Sequence, residues 1–376
     1  MSEIQITQVS VPEDVIHLGI GQPDENLLPV DKMALAASHC LNPKNRKILQ
    51  YGRQQGDGNF RTSLARFLTH EYDVTVNPEH LFITAGTSQT LDLICALFTR
   101  PGDTIIVEEP SYFLALHIFA DYQLNIIGTP IDHDGLIIEA LEERLEKHKP
   151  AFVYTIPVFH NPAGVTLSAV RRERLIRLSQ KHDFMIVADE VYQLLAYTLT
   201  PPPPLATNDS SGRVLSLGSF SKILAPGLRL GWIQADPALI KRFLIRGYLN
   251  SGGGLNPFVS SVVNSMIELG LQKEHLHHLR DVYRERIQAM SQALRLKMPF
   301  LKFSEPHGGY FLWCQLPDDV DAEDLLAIAE THKTGFQPGV RFSSENALHN
   351  YLRLSFAYYA TDKLVQGVER LRHIYQ

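Results

Sequence analysis

The sequence predicts an α/β fold in which a large, mostly parallel mixed sheet is sandwiched by helices and joined to a smaller α+β domain. Three observations predict it. From about residue 80 to 235, short apolar runs alternate with longer amphipathic stretches, the pattern of strands and crossover helices. After Pro237 the pattern changes to two long helical stretches and two strand-like runs flanked by helices. A chain of 376 residues is also long enough for one large domain and a smaller one.

The predicted strands are "LFIT" (81–84), "TIIVEE" (104–109), "LNIIGT" (124–129), "AFVYTI" (151–156), "FMIVADE" (184–190), "VLSLGS" (214–219) and "RLGWIQA" (229–235). Each is a near-continuous apolar run, as expected of strands buried on both faces. "TSQTLDLICALF" and "SAVRRERLIRLSQKH" carry helical periodicity between them. In such sheets ligands sit beyond the carboxyl ends of the strands. Helices are expected over about 257–270 and 272–297, followed by strands in "GGYFLWCQL" and "YLRLSFA". The division expected is a large domain over 46–245, with 1–45 and 246–376 forming the small one. The proline run "TPPPPL" (200–205) reads as a stiff surface connection.

Composition excludes several classes. A formal net charge of −6 and no dense Lys/Arg block argue against a nucleic-acid or anionic-membrane partner. The first residues lack the basic region and apolar run of a signal peptide. Cys40, Cys95 and Cys314 are far apart and form no CxxC, so they read as buried thiols of a cytoplasmic protein. His275, His277 and His278 read as solvated helix surface, and no metal site is assigned.

Chemistry concentrates in "SFSKILAPGLRLGW" (219–232). Ser219-x-x-Lys222 matches the spacing of penicillin-binding hydrolases, with Ser219 as nucleophile. That reading needs Ser-x-Asn and then Lys-Thr-Gly downstream. Both strings occur, but in reversed order (Lys333–Gly335, then Ser344–Asn346), and Pro226 and Gly227 leave little helix around Lys222. The other reading makes Lys222 itself the reactive amine, forming a Schiff base with a carbonyl cofactor.

The Schiff-base reading predicts four further elements, and each has a candidate just past a predicted strand. In "AGTSQTLDL", Gly86 allows a sharp turn and Thr87 and Ser88 open a helix, whose free N–H groups favour a phosphate. Ser219, Ser221 and Arg229 can add contacts to it. Asp189 in "IVADEVY" can pair with a pyridinium proton and so make the ring an electron sink. Asn161, fixed by Pro162 in "PVFHNPAG", can donate to a phenolate oxygen, with Tyr192 near the same ring. Tyr112 in "EEPSY" is the stacking candidate.

With these motifs in order, the chain resembles the class I/II pyridoxal-phosphate aminotransferases of fold type I. Within them it is most similar to the branch of 2-aminoadipate and kynurenine-type aminotransferases and the aminotransferase-like half of MocR regulators. The resemblance runs from "LGIGQPD" to "YLRLSFA". It implies pyridoxal 5'-phosphate on Lys222, with Asp189 and Tyr112 as its catalytic partners. Gly86, Thr87, Ser88, Asn161, Tyr192, Ser219, Ser221 and Arg229 would hold the cofactor. Tyr51 in "LQYGRQQGDGNFR" would be lent to the phosphate of the second subunit in a homodimer. Arg353 would clamp the substrate α-carboxylate, with Gly21 and Asn161 beside it. Thr87 stands where the family usually has serine, which keeps the hydroxyl. The implied reaction moves the amino group of an L-amino acid to a 2-oxo acid such as 2-oxoglutarate. A carbon–sulfur β-lyase and a non-catalytic pyridoxal-phosphate sensor are the alternatives, since one fold hosts several chemistries.

Overall fold

The computed structural model describes residues 10–207, 209 and 211–375. The first nine residues of the segment assigned to the small domain therefore lie outside the described residues. In chain order the strands are β1 (Ile16–His17), β2 (Leu81–Thr84), β3 (Thr104–Glu109), β4 (Asn125–Asp132), β5 (Gly135–Leu136), β6 (Phe152–Thr155) and β7 (Met185–Asp189). They continue with β8 (Val214–Ser219), β9 (Gly231–Ala235), β10 (Lys302–Phe303), β11 (Phe311–Gln315), β12 (Thr334–Gly335), β13 (Gln337–Pro338) and β14 (Tyr351–Ser355).

Eight of these form the large sheet, in the order β2-β9-β8-β7-β6-β3-β4-β5. The run β8-β7-β6-β3-β4 is parallel, while β9 pairs antiparallel with both β2 and β8. Each strand predicted between residues 80 and 235 is present in this sheet, with ends shifted by up to three residues. At β9 the cause is visible: Arg229 has φ 46° and the strand begins only at Gly231, because a left-handed residue cannot extend a ladder.

Alternate residues of each strand face opposite layers. Ile105 and Val107 pack with Leu91, Ile94, Leu116 and Phe119, from the helices Thr87–Phe98 and Phe113–Asp121. Ile106 and Ile186 pack on the other side with Leu141, Leu175 and Leu178, from the helices Ile138–Lys147 and Ala169–His182. All six residues of β8 are buried. The proline run is not a free surface connection. Gln193 Nε2 donates to Pro202 O and Arg172 Nη1 to Pro203 O, and Pro204 is buried.

A four-stranded antiparallel sheet, β10-β11-β14-β13, lies against the helix Leu271–Lys297, with Leu279 and Tyr283 in the same core as Leu312 and Leu354. The N-terminal segment packs with this part of the chain: β1 and β12 form a separate two-stranded parallel sheet. Asp24 Oδ2 accepts from Arg286 Nη2 at 2.6 Å, and Arg286 Nη1 donates to Ala357 O at 2.8 Å. Both charged side chains are buried. Removing one partner of such a pair leaves an uncompensated charge. Asp24→Ala is therefore expected to lower the unfolding free energy by about 3–5 kcal/mol, read as a shift in the urea midpoint.

Candidate active site

The carboxyl ends of the parallel strands face a cavity of about 520 Å³. Asp189 is the last residue of β7 and Ser219 the last of β8, while Lys222 follows in the turn after β8. Tyr112 lies just past β3 and Asn161 just past β6. Gly86 follows β2, which runs in the same direction as β8. Arg229 precedes β9, which runs the opposite way, so its start lies at that same end. Thr87, Ser88, Tyr112, Asn161, Asp189, Tyr192, Ser219, Ser221, Lys222, Arg229, Gly21 and Arg353 all line the cavity.

Lys222 Nζ donates to Gly21 O at 3.1 Å and lies 5.4 Å from the Tyr310 ring centroid. Burial pulls its amine down to about 8; the Arg353 charge adds to this and the Asp189 carboxylate opposes it. No helix places Ser219 on the turn before Lys222. Ser219 Oγ instead accepts from Ser221 N at 3.1 Å, which removes the geometry the hydrolase reading needed.

Asp189 is buried, and its Oδ2 accepts from the Tyr154 hydroxyl at 2.9 Å. Its Oδ1 is buried without a protein partner. A buried bare carboxylate oxygen is costly, so this atom suits an N–H donor arriving in the cavity. Burial raises the carboxyl to about 6, opposed by the Tyr154 hydrogen bond and the Lys222 charge.

Arg353 on β14 is buried. It donates through Nη1 to Asn161 Oδ1 (2.9 Å) and through Nη2 to Gly19 O (2.8 Å). Its guanidinium lies 4.0 Å from the Phe311 ring centroid and 4.9 Å from that of Phe342. With its oxygen engaged, Asn161 has its amide nitrogen left to donate. Burial pulls Arg353 down to about 10, which still leaves it charged at neutral pH.

At the other end, Gly86 has φ 91° and caps the helix Thr87–Phe98. A Cβ on Gly86 would fall 2.8 Å from Arg229 Nη2. The glycine thus leaves room for a guanidinium beside a helix N-terminus, an arrangement suited to an anion. Pyridoxal 5'-phosphate fits this donor set, with an anion cradle, an amine, and an orphan acceptor beyond it.

Residues 13–371 match the model for the family described as aminotransferase class I and II. The chain belongs to that family. Its members work on pyridoxal 5'-phosphate, and the chain has their fold type I architecture. This aminotransferase is 36% identical to aromatic-amino-acid aminotransferase 1 of Thermococcus litoralis, over 98% of this chain and 90% of the relative. It is 32% identical to the 2-aminoadipate transaminase of Thermus thermophilus, over 95% and 89%. The crystal structure of Pyrococcus horikoshii kynurenine aminotransferase, described in complex with PMP, superposes with a TM-score of 0.90 at 35% identity, covering 96% of this chain and 91% of that one.

Tyr51 is not among the residues that line this cavity. It is 84% exposed and lines a separate surface hollow with Gly52, Arg53 and Asn250. Two sequence readings are corrected in position. Arg229 is not a strand residue, and His275 is buried in the helix Leu271–Lys297 rather than solvated, its ring pushed down to about 4 by burial. Among the described residues Asp321, Glu323 and His349 come together as metal-ligand types, but none lines the cavity.

Sequence reasoning missed the supports. Tyr154 inside β6 reads as core, and its hydroxyl is the hand on Asp189. Tyr310 donates to Lys222 O at 3.0 Å. Glu108 is buried, accepts from Thr155 Oγ1 and Ile156 N, and lies 3.1 Å from His160 Nε2, bracing the turn that carries Asn161. A glutamate directly after the apolar run Ile105–Val107, still inside the strand, was the signal available for it.

The raised Asp189 carboxyl has a measurable consequence. The folded protein without cofactor binds that proton more tightly than the unfolded chain, whose carboxyl titrates near 3.8. The associated stability is present below pH 4 and is lost as the pH rises through 6. Relative to Asp189→Asn, the cofactor-stripped wild type is expected to lose about 2–3 kcal/mol between pH 4 and 7, measured by urea unfolding across that range.

Proposed function

We propose that an L-amino acid binds in this cavity with its α-carboxylate on Arg353 and its Cα before Lys222, and that a 2-oxo acid such as 2-oxoglutarate takes the amino group in the second half of the reaction. The amine of Lys222, in one cavity with Asp189 and Arg353 and 3.1 Å from Gly21 O, is the observation that carries the reading, and burial pulls it down to about 8. A lysine so depressed is neutral often enough at pH 7–8 to act as a base.

Bound pyridoxal 5'-phosphate supplies the carbonyl that receives amino groups and the ring that accepts electron density from Cα. Asp189 Oδ1 would pair with the proton of the ring nitrogen, and Asn161 and Tyr192 would hold the phenolic oxygen. Tyr112 would stack on the ring. Gly86, Thr87, Ser88, Ser219, Ser221 and Arg229 would hold the phosphate. Lys222 Nζ takes the proton that leaves Cα and keeps it for return, so one group serves as base and then as acid. The Arg353 fork binds the α-carboxylate, and Gly21 approaches it through its backbone. An intact clamp beside the lysine favours turnover over sensing.

The same proposal includes a homodimer in which Tyr51 reaches the partner's phosphate. Its exposure, in the company of exposed Val30, Leu49, Ile245 and Phe258, supports this. It also keeps the division into 46–245 against 1–45 with 246–376, which the β1–β12 pairing supports. The three buried, unpaired thiols support a reducing compartment such as the cytoplasm.

Two experiments test the reading. The yellow holoenzyme should bleach with some L-amino acids in the absence of an acceptor, and recover its colour with 2-oxoglutarate; a spectrum unmoved by every amino acid counts against transamination. Lys222→Ala should lower turnover by about 10³-fold or more, while Arg353→Lys should raise KM for the amino acid by about 100-fold, both read by steady-state kinetics.

A further inference from the structure

Glu108 in β3 is a charged side chain only 1% exposed, and its contacts all point one way. Its Oε1 accepts from Thr155 Oγ1 at 2.7 Å, and its Oε2 accepts from Ile156 N at 2.7 Å. The same Oε2 lies 3.1 Å from Nε2 of His160, which is equally buried. These three partners belong to residues 155–160, the stretch that leads from the end of β6 to Asn161. One carboxylate oxygen therefore touches both the start of that stretch and the residue just before Asn161. An apolar side chain could fill this place in the sheet without burying a charge. What the carboxylate adds is short, charge-assisted bonds with a fixed direction.

His160 carries this hold forward. The Ala163 N–H donates to its Nδ1 at 3.1 Å, which leaves the ring proton on Nε2, the atom nearest Glu108. That N–H points off the line to the carboxylate, so the contact is one of charge rather than an aligned hydrogen bond. The main chain of His160 closes the turn: its N–H donates to Val165 O at 2.9 Å, and its oxygen accepts from Gly164 N at 2.6 Å. Asn161 sits inside this closed turn, with Oδ1 on Arg353 Nη1 and its amide nitrogen left to donate. Asn161 lines the cavity, whereas Glu108 and His160 do not.

We propose that Glu108, acting through His160, is a positioning residue for Asn161: it fixes the turn so that the Asn161 amide nitrogen meets the phenolic oxygen of the cofactor. This deepens the function proposed above and rests on Asn161 holding that oxygen. An N–H donated to the oxygen favours its ionised form, so a displaced Asn161 raises the pH midpoint of the cofactor's visible band. Removing the Glu108 charge would by itself act the other way, since the loss of one negative charge eases the formation of another. The sign of the shift therefore separates positioning from direct electrostatics. The charged groups that line the cavity, Lys222, Asp189, Arg229 and Arg353, and the tyrosines Tyr112 and Tyr192, stay in place throughout.

The test titrates the visible spectrum of the holoenzyme with pH, without amino acid, for wild type, Glu108→Gln, His160→Gln and Asn161→Ala. Each of the first two substitutions is also made in the Asn161→Ala background, and thermal melting checks that every variant is folded. Glutamine keeps the shape of Glu108 but offers one acceptor oxygen in place of two. Glu108→Gln should raise the midpoint by about one pH unit, and His160→Gln should move it the same way by less. Asn161→Ala should raise it at least as far, and neither substitution should raise it further in that background, because residues acting through one contact are not additive. A lowered midpoint, an unchanged midpoint in folded variants, or full additivity with Asn161→Ala overturns the proposal. Should Glu108→Gln not fold, His160→Gln makes the same comparison. If the wild-type band titrates but no L-amino acid bleaches it, the transamination reading fails and the positioning role stands on the midpoints. A wild type that takes up no cofactor overturns both.

Discussion

Asp189 sits where the parallel strands end, with one oxygen on the Tyr154 hydroxyl and the other bare. Burying a carboxylate this way opposes folding unless a cation arrives, and the surroundings are arranged around that requirement. The hydroxyl comes from β6, the neighbouring strand, so the carboxylate is oriented by the sheet itself. Lys222 on the far side of β7, in the turn after β8, feels the charge without forming an ion pair that would occupy it. The sheet thus delivers an acid and an amine to one space while keeping both available.

Polarity within the cavity follows from the same geometry. Asp189 is the single lining carboxylate among the described residues, against the cations Lys222, Arg229 and Arg353. Such a site attracts anions and holds them in an enclosed, low-dielectric space where each contact is stronger than in water. The aromatic rings around Arg353 cover its guanidinium without competing for its donors, since Phe311 and Phe342 have no acceptor to offer. Its directional bonds go to Gly19 O and Asn161 Oδ1, which fix the orientation of the guanidinium.

Much of this could be read from the chain. Strands buried on both faces appear as unbroken apolar runs, so β3, β6, β7 and β8 were legible, and a polar residue just beyond such a run marks the ligand face. That rule singled out Asp189, Asn161 and Lys222, and all three line the cavity. Position within an element was harder. Arg229 looks like the first residue of a strand because nothing in its neighbours announces a left-handed backbone. His275 looks solvated among charged residues, yet its place on the helix Leu271–Lys297 turns it inward. Tyr154 was hidden because a tyrosine inside a strand is ordinarily core. Its hydroxyl matters only through β6 lying beside β7, which is topology and not local pattern.

The segment from Gly19 to Gly21 touches both working cations through main-chain oxygens, Arg353 at Gly19 and Lys222 at Gly21. A backbone carbonyl is present whatever residue carries it. Ile20 within the segment and Gln22 just after it line the cavity. Point mutations there can therefore reshape what the enzyme accepts while the chemistry stays anchored to atoms that mutation does not remove. In this stretch the catalytic scaffold and the evolvable surface share one short length of chain, so substrate preference is free to drift through single substitutions.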